Sequence, residues 1–218
     1  MITLENVAVR SGQFWLRDIS MEIADGQYGV LMGKTGCGKT TVLEAVCGLR
    51  TVVSGRILLH GSDVTSLKPS GRGLGYVPQD LALFPTLTVR EHLAFALVLR
   101  HVAQAEIERR VTELSELLGI APLLERKPHG LSGGEAQRVA IGRALSPAPK
   151  VLCLDEPLSA LDEATRDEMV ELLKRVQRES GVTVLHVTHN GHEAKKLADT
   201  LHVFESGKIC FRGGVPII

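Results

Sequence analysis

Aromatic residues are scarce in this 218-residue chain, at 4%, and neither sign of charge dominates, with 25 Lys+Arg against 25 Asp+Glu. A balanced charge gives no electrostatic reason to expect nucleic acid, which normally calls for a basic patch. Cysteine is sparse too, and Cys37, Cys47, Cys153 and Cys210 include no C-x-x-C pair. Three of them lie in or beside predicted core elements, so reduced cytosolic thiols are expected rather than a disulfide scaffold. No apolar run approaches the roughly 20 residues that span a bilayer, and the opening MITLENVAVR lacks the apolar core of a secretion signal. A soluble chain is expected, with any link to a membrane made through a partner. The length suits one α/β domain with a full core and room for a subdomain.

What the chain does have is Gly33-Lys34-Thr35-Gly36-Cys37-Gly38-Lys39-Thr40, which matches the phosphate-binding pattern G-x-x-x-x-G-K-[S/T] at every position. Glycines let the backbone curl with its N–H groups inward, forming an anion nest. Lys39 can reach the β- and γ-phosphates, and the Thr40 hydroxyl can hold Mg²⁺. Tyr28–Met32 reads as a buried strand before the loop, and Thr40–Cys47 as a helix after it with Val42, Leu43, Val46 and Cys47 on one face. Strand, loop and helix N-terminus in that order make a phosphate site.

Elsewhere the punctuation is local. Ile2–Val9 and Phe14–Ile23 alternate as antiparallel strands, and Gly55–His60 reads as another strand. Phe14 and Trp15 are candidates to stack on an adenine ring or, equally, to pack in the small sheet. A strand ends at Gly75-Tyr76-Val77-Pro78 and delivers Gln79. From Leu81 to Leu145 the pattern is helical: Thr88 and Glu91 form a capping box, and Ile107, Val111, Leu114 and Leu118 recur at helical spacing until Gly119. The apolar loop Leu81–Pro85 between Gln79 and that helix suits packing or a partner-binding surface.

Leu131-Ser132-Gly133-Gly134-Glu135 supplies a second capping box, opening a predicted helix over 135–145. Two glycines in a first turn are costly, unless something must approach the backbone closely. Ser132, Gly133 and Gly134 therefore read as a second anion site. The apolar stretch Val151–Leu154 ends in Asp155, suited to Mg²⁺, and Glu156, suited to take a proton from attacking water. His186, His189 and His192 have the spacing of a metal cluster, but His186 falls within the predicted buried strand Thr183–Val187, which favours a structural reading. Strands at Thr200–Glu205 and Lys208–Arg212 close the pattern.

Taken in order, the phosphate loop, Gln79, LSGGE at 131–135, Asp155-Glu156, SALD at 159–162 and His189 make the chain resemble an ATP-binding cassette (ABC) ATPase over residues 2 to 212. LSGG is the most family-specific part. The resemblance implies an α/β fold: a P-loop NTPase (RecA-like) core with an N-terminal antiparallel β subdomain, about 1–85 and 146–218, and an inserted α-helical subdomain, about 86–145. Many importers of this kind append a C-terminal regulatory domain; none is expected here, since the chain stops soon after Gly207-Lys208-Ile209. The resemblance also implies that Gly33, Lys34, Thr35, Gly36, Cys37, Gly38, Lys39, Thr40 and Thr41 cradle ATP and Mg²⁺. Gln79 would sense the metal and γ-phosphate, and Glu156 would be the base. His189 would contact the γ-phosphate, and Asp162 would link two sites across a dimer. Ser132, Gly133 and Gly134 would act in trans, because cassettes of this family dimerise head to tail around ATP.

Lys34 stands where a small residue or Pro is common, Ala136 where a larger polar residue is common, and Asn190 where Asp is common. The family's adenine-stacking aromatic falls by spacing nearer Ser11. Residues 78–93 (PQDLALFPTLTVREHL) are similar to importers that work with a substrate-binding protein and dock this loop on a transmembrane permease. GQFWLRDIS and VLEAVCGL are similar to molybdate/tungstate-type cassettes. The resemblance thus implies a peripheral protein at the cytoplasmic face of the membrane, with a second ATPase subunit, permease subunits and a substrate-binding protein as partners and no direct nucleic acid. A soluble ABC ATPase acting on nucleic acid or ribosomes is the alternative, disfavoured by the neutral charge and the short segment between Gln79 and Leu131. A small-molecule kinase would have no use for LSGGE.

Overall fold

The computed structural model describes residues 1–12, 14–205 and 208–213, without the side chain of Ser11. Strands β1 (Ile2–Ser11) and β2 (Phe14–Ile23) pair antiparallel, as their alternation predicts. Next come β3 (Tyr28–Gly33), α1 (Lys39–Cys47), β4 (Val52–Leu59) and the two-residue β5 (Ser62–Asp63). The first sheet has the order β2-β1-β4-β5. β4 begins at Val52, earlier than the predicted Gly55. Gly55 (φ 84) lies where β1 slips register, and a Cβ there would sit 2.4 Å from the Glu5 and Asn6 carbonyl oxygens. That glycine is a bulge inside the strand, not its edge.

The chain continues through β6 (Leu74–Val77), the helices α2 (Val89–Leu99), α3 (Gln104–Leu117) and α4 (Gly133–Leu145), β7 (Val151–Asp155) and α5 (Glu163–Ser180). It ends in β8 (Thr183–Thr188), α6 (Gly191–Leu197), β9 (Thr200–Glu205) and β10 (Lys208–Phe211). These strands, with β3, form a second sheet of order β10-β9-β3-β8-β7-β6, parallel except for β10. β7 and β8 are buried at every position, which is why they read as mostly apolar runs, broken only by His186 within β8 and by polar residues at the strand ends. Both capping boxes form, at Thr88/Glu91 and Ser132/Glu135, and α4 starts two residues before the predicted 135, directly after its Ser132 cap.

Alternation along the strands of the second sheet feeds two cores. Leu31, Cys153, Leu185 and Val187 point to α1, whose Val42, Leu43 and Val46 fill the space to Ile2, Leu4, Ile19 and Ile57 of the first sheet. Val30, Leu152, Leu154 and Val184 point the other way, onto Leu93, Leu114, Leu118, Ile141 and Met169 of the helices. Each such fully buried Leu or Ile contributes on the order of 1.5–3 kcal/mol. All four cysteines are free, with Cys47 and Cys153 buried in the α1 core.

Candidate functional site

Register decides what meets at the sheet edge. In the parallel ladder Met32 lies opposite Thr188, Asp155 opposite Val187, and Val77 opposite Leu154. The carboxyl ends of β3, β8, β7 and β6 therefore share one rim, where open α/β sheets take their ligands. From that rim emerge the loop 33–38, His189, Asp155-Glu156 and Pro78-Gln79.

The loop turns on two glycines in left-handed conformations, Gly36 (φ 80) and Gly38 (φ 111), the latter capping α1. A Cβ on Gly38 would sit 2.9 Å from Leu16 Cδ2 and 3.2 Å from Phe14 Cε1. No acidic side chain lies in the first turn of α1, so the positive helix end stays uncompensated from within the helix. Lys34, Thr35, Gly36 and Thr40 are exposed, and Gly33, Cys37, Gly38 and Thr41 are half-buried. Lys39 is buried and curls back over the loop. Its Nζ donates to the carbonyls of Gly33 (2.9 Å) and Lys34 (3.1 Å) and lies 3.6 Å from Glu156 Oε1.

The Thr40 hydroxyl donates to Asp155 Oδ1 at 3.1 Å. Burial raises the Asp155 carboxyl above its ordinary range, with the Thr40 bond pulling the other way. A buried carboxylate that desolvation disfavours is one that a bound cation would stabilise, and a hydroxyl beside a carboxylate is the hard-oxygen donor set that fits Mg²⁺. Glu156 follows with φ 44, a left-handed conformation that costs a non-glycine residue roughly 1–2 kcal/mol. Its N–H donates to Val187 O (2.9 Å), and its Oε2 lies 3.0 Å from His189 Nδ1. A carboxylate only accepts, so His189 carries its proton on Nδ1 in this contact. Gln79 is exposed on the same rim, following β6.

Ser132 and Gly133 lie exposed at the start of α4. Ser132 Oγ accepts from the Glu135 N–H (3.3 Å), and the Ser132 N–H donates to Glu135 Oε2 (2.7 Å). The reading that both glycines admit a close approach needs correcting for Gly134. A Cβ there would lie 2.8 Å from Thr165 Cγ2, so its size serves the packing of α4 on α5. At Gly133 the nearest atom, of Leu161, is 3.6 Å away, leaving ordinary room. Asp162 caps α5, accepting from Thr165 N (3.0 Å) and Thr165 Oγ1 (2.7 Å).

The three histidines at metal-like spacing go to three different places. His186 is fully buried with Nδ1 2.8 Å from Tyr28 Oη, His189 meets Glu156, and His192 lies 3.3 Å from Asp167. Phe14 and Trp15 separate as well. Phe14 leans over Gly38, while Trp15 is held by the guanidiniums of Arg10 (5.4 Å) and Arg17 (4.8 Å).

The loop after Gln79 has anchors that no local pattern announced. Leu81 and Ala82 are both left-handed (φ 61 and 43), and Arg143 of α4 donates to both of their carbonyls. The Phe84 N–H donates to Nε2 of the buried His92 (2.9 Å), and the Phe84 ring packs on Phe95 and Arg143. The Arg143 contacts join residues 61 and 62 positions apart, visible only once α4 is docked on α2.

A family described as ABC transporter matches residues 16–159. A "Molybdate/tungstate import ATP-binding protein WtpC" of Thermococcus kodakarensis is 46% identical over 215 residues, covering 99% of this chain and 65% of the relative. The protein of the same description in Archaeoglobus fulgidus is 50% identical over 186 residues, 85% of this chain and 77% of the relative. This chain thus spans just under two thirds of the length of the Thermococcus relative. Among solved structures, a dimeric post-hydrolysis state of an ATP-binding cassette bound to ADP and Pi superposes with TM-score 0.86 at 27% identity, covering both chains completely.

Proposed function

This chain belongs to the ABC transporter family, and from that premise we propose that it is the ATP-hydrolysing subunit of a membrane importer, working as a dimer. The carrying observation is the rim itself. Lys39, Thr40, Asp155, Glu156 and His189 come from three separate segments and lie within hydrogen-bond or ion-pair reach of one another. In this reading the loop amides from Gly33 to Thr41 bind the phosphates, and Lys39 exchanges its two carbonyl partners for phosphate oxygens. Thr40, Asp155 and Gln79 hold Mg²⁺, which when bound offsets the charge of the β- and γ-phosphates. Glu156 takes the proton of the attacking water, with His189 fixing the carboxylate's second oxygen. Phe14, which leans on the loop, is the better placed of the two aromatics to meet the base.

Ser132 and Gly133 open outward, and with Gly134 and Asp162 they serve a nucleotide held by a second copy of the chain. The segment about 86–145 acts as the inserted helical subdomain, and the loop just before it, with Phe84, meets the permease. The protein sits at the cytoplasmic face of the membrane through that partner; among the described residues no helix is long and apolar enough to cross a bilayer. For cargo we favour tetrahedral oxometalates, on the descriptions of the two relatives.

Complementation tests the shared site. Chains carrying Lys39→Ala and chains carrying Ser132→Arg should each be inactive, yet a mixture should recover about a quarter of wild-type hydrolysis. Half of the dimers then hold one intact site of two. A mixture as inactive as its parts would sink the two-copy site.

A further inference from the structure

Behind the rim runs a buried polar chain that none of the motifs includes. Glu193, on the first turn of α6, is 2% exposed. Its Oε2 accepts from Thr188 Oγ1 (2.7 Å), and that same hydroxyl accepts from the Asn190 N–H (3.0 Å), so both residues flanking His189 are tied to one carboxylate. Oε1 lies 3.6 Å from Arg166 Nε on α5. Arg166 in turn donates to the carbonyls of Leu161 (2.5 Å) and Leu158 (3.4 Å), the backbone that runs from Glu156 to Asp162. On the inner side His186 Nε2, buried and without a hydrogen-bond partner, faces Glu193 Oε2 at 3.7 Å, with Tyr28 on the other ring nitrogen.

A buried carboxylate is costly unless paired, and this one is paired to a cation whose Nε and Nη2 donate to backbone carbonyls rather than to side chains. Such an arrangement fixes the position of two loops relative to each other. One loop carries His189. The other begins at Glu156 and ends at Asp162. The contact they share is His189 Nδ1 to Glu156 Oε2, at 3.0 Å.

We propose that Glu193 is a positioning residue: through Arg166 on one side and Thr188 on the other, it holds the His189 loop in register with the 156–162 loop, so that His189 and Glu156 meet. Buried behind the rim, it acts through these two loops and not directly. The inference rests on the proposed hydrolysis for its consequence in rate, but not for its geometry.

Two kinds of measurement on the full chain test it. In the nucleotide-free protein, the NMR signal of the His189 ring is assigned by its loss in His189→Ala, and its displacement in Glu156→Gln marks the broken contact. Glu193→Gln should displace it in the same direction, and so should Arg166→Gln, which breaks the pair from its more exposed side should the first variant fold poorly. In steady-state hydrolysis each should lower kcat roughly ten- to a hundred-fold, the range that about 1 Å of misplacement costs, with KM changed less than twofold. Combined with His189→Ala, Glu193→Gln should slow the reaction no further, because the two act through one contact. A ring signal at its wild-type position in both variants overturns the proposal, as do losses that multiply in the double variant. A wild-type protein that does not hydrolyse ATP would defeat the proposed function, and the ring signal would then decide this inference by itself.

Discussion

Replacing Glu156 by Gln changes one oxygen for an NH₂ at the residue where three constraints meet. Its carboxylate lies between Lys39 Nζ (3.6 Å) and His189 Nδ1 (3.0 Å), on a left-handed backbone. Loss of a general base costs about 10²–10⁴ in rate, or roughly 2.7–5.5 kcal/mol of transition-state stabilisation. The cost to the fold should be much smaller. Stripping one partner from a buried ion pair typically costs about 3–5 kcal/mol, when the other charge is left alone. Lys39 is not left alone, since it keeps two carbonyl acceptors at 2.9 and 3.1 Å. The Gln amide can still accept from His189, turning its NH₂ toward Lys39. About 1–2 kcal/mol is therefore expected, in the range of a hydrogen bond to a charged group, lowering Tm by about 2–8 °C for a chain of this size. Phosphate release, ATP binding by calorimetry and thermal melting measure the three quantities. ATP should still bind and, without turnover, hold the dimer together on a sizing column. Hydrolysis within threefold of wild type would refute Glu156 as base, and lost ATP affinity would refute its separation from binding. Glu156→Gly sharpens the test, because it relieves roughly 1–2 kcal/mol of left-handed strain while removing the same base.

Other perturbations probe other levels of the structure. Gly75→Ala should destabilise by about 1–3 kcal/mol, since its Cβ would lie 2.5 Å from the Ala144 carbonyl oxygen, which as backbone cannot step aside; an unchanged melting temperature would contradict that packing. Phe84→Asp should release the protein from the proposed permease partner while basal hydrolysis stays within about twofold, and retained co-purification would count against this docking face. Desolvation holds His186 down at about 3 against an ordinary 6.5. The unfolded chain takes up that proton below pH 6.5 and the fold does not. Stability is therefore intact above that pH and falls toward pH 3, by up to about 1.4 kcal/mol per pH unit. Urea melts of His186→Gln should show a shallower slope over that range, and an equal slope would clear His186 as the source.

Whatever is local could be read along the chain. A phosphate loop between strand and helix, two capping boxes of four residues each, and alternating or continuous apolar strands are each settled by residues within a turn or two of one another. For these, propensity, hydrogen bonding and burial agree. The sequence did not determine which strand lies beside which, because β7 and β8 are buried on both faces and their side-chain pattern does not name their neighbours. Only the parallel register brought Thr40 to Asp155 and His189 to Glu156, across more than a hundred and more than thirty residues respectively. Only the docking of α1 under β2 separated Phe14 from Trp15, since adjacent strand residues face opposite ways and the sequence does not say which way is in. Gly55 and Gly134 were open to misreading for the same reason: a missing Cβ shows that something comes close, and tertiary contact alone shows what. Glu193 and Arg166 look like ordinary charges on helices until burial makes their pairing obligatory.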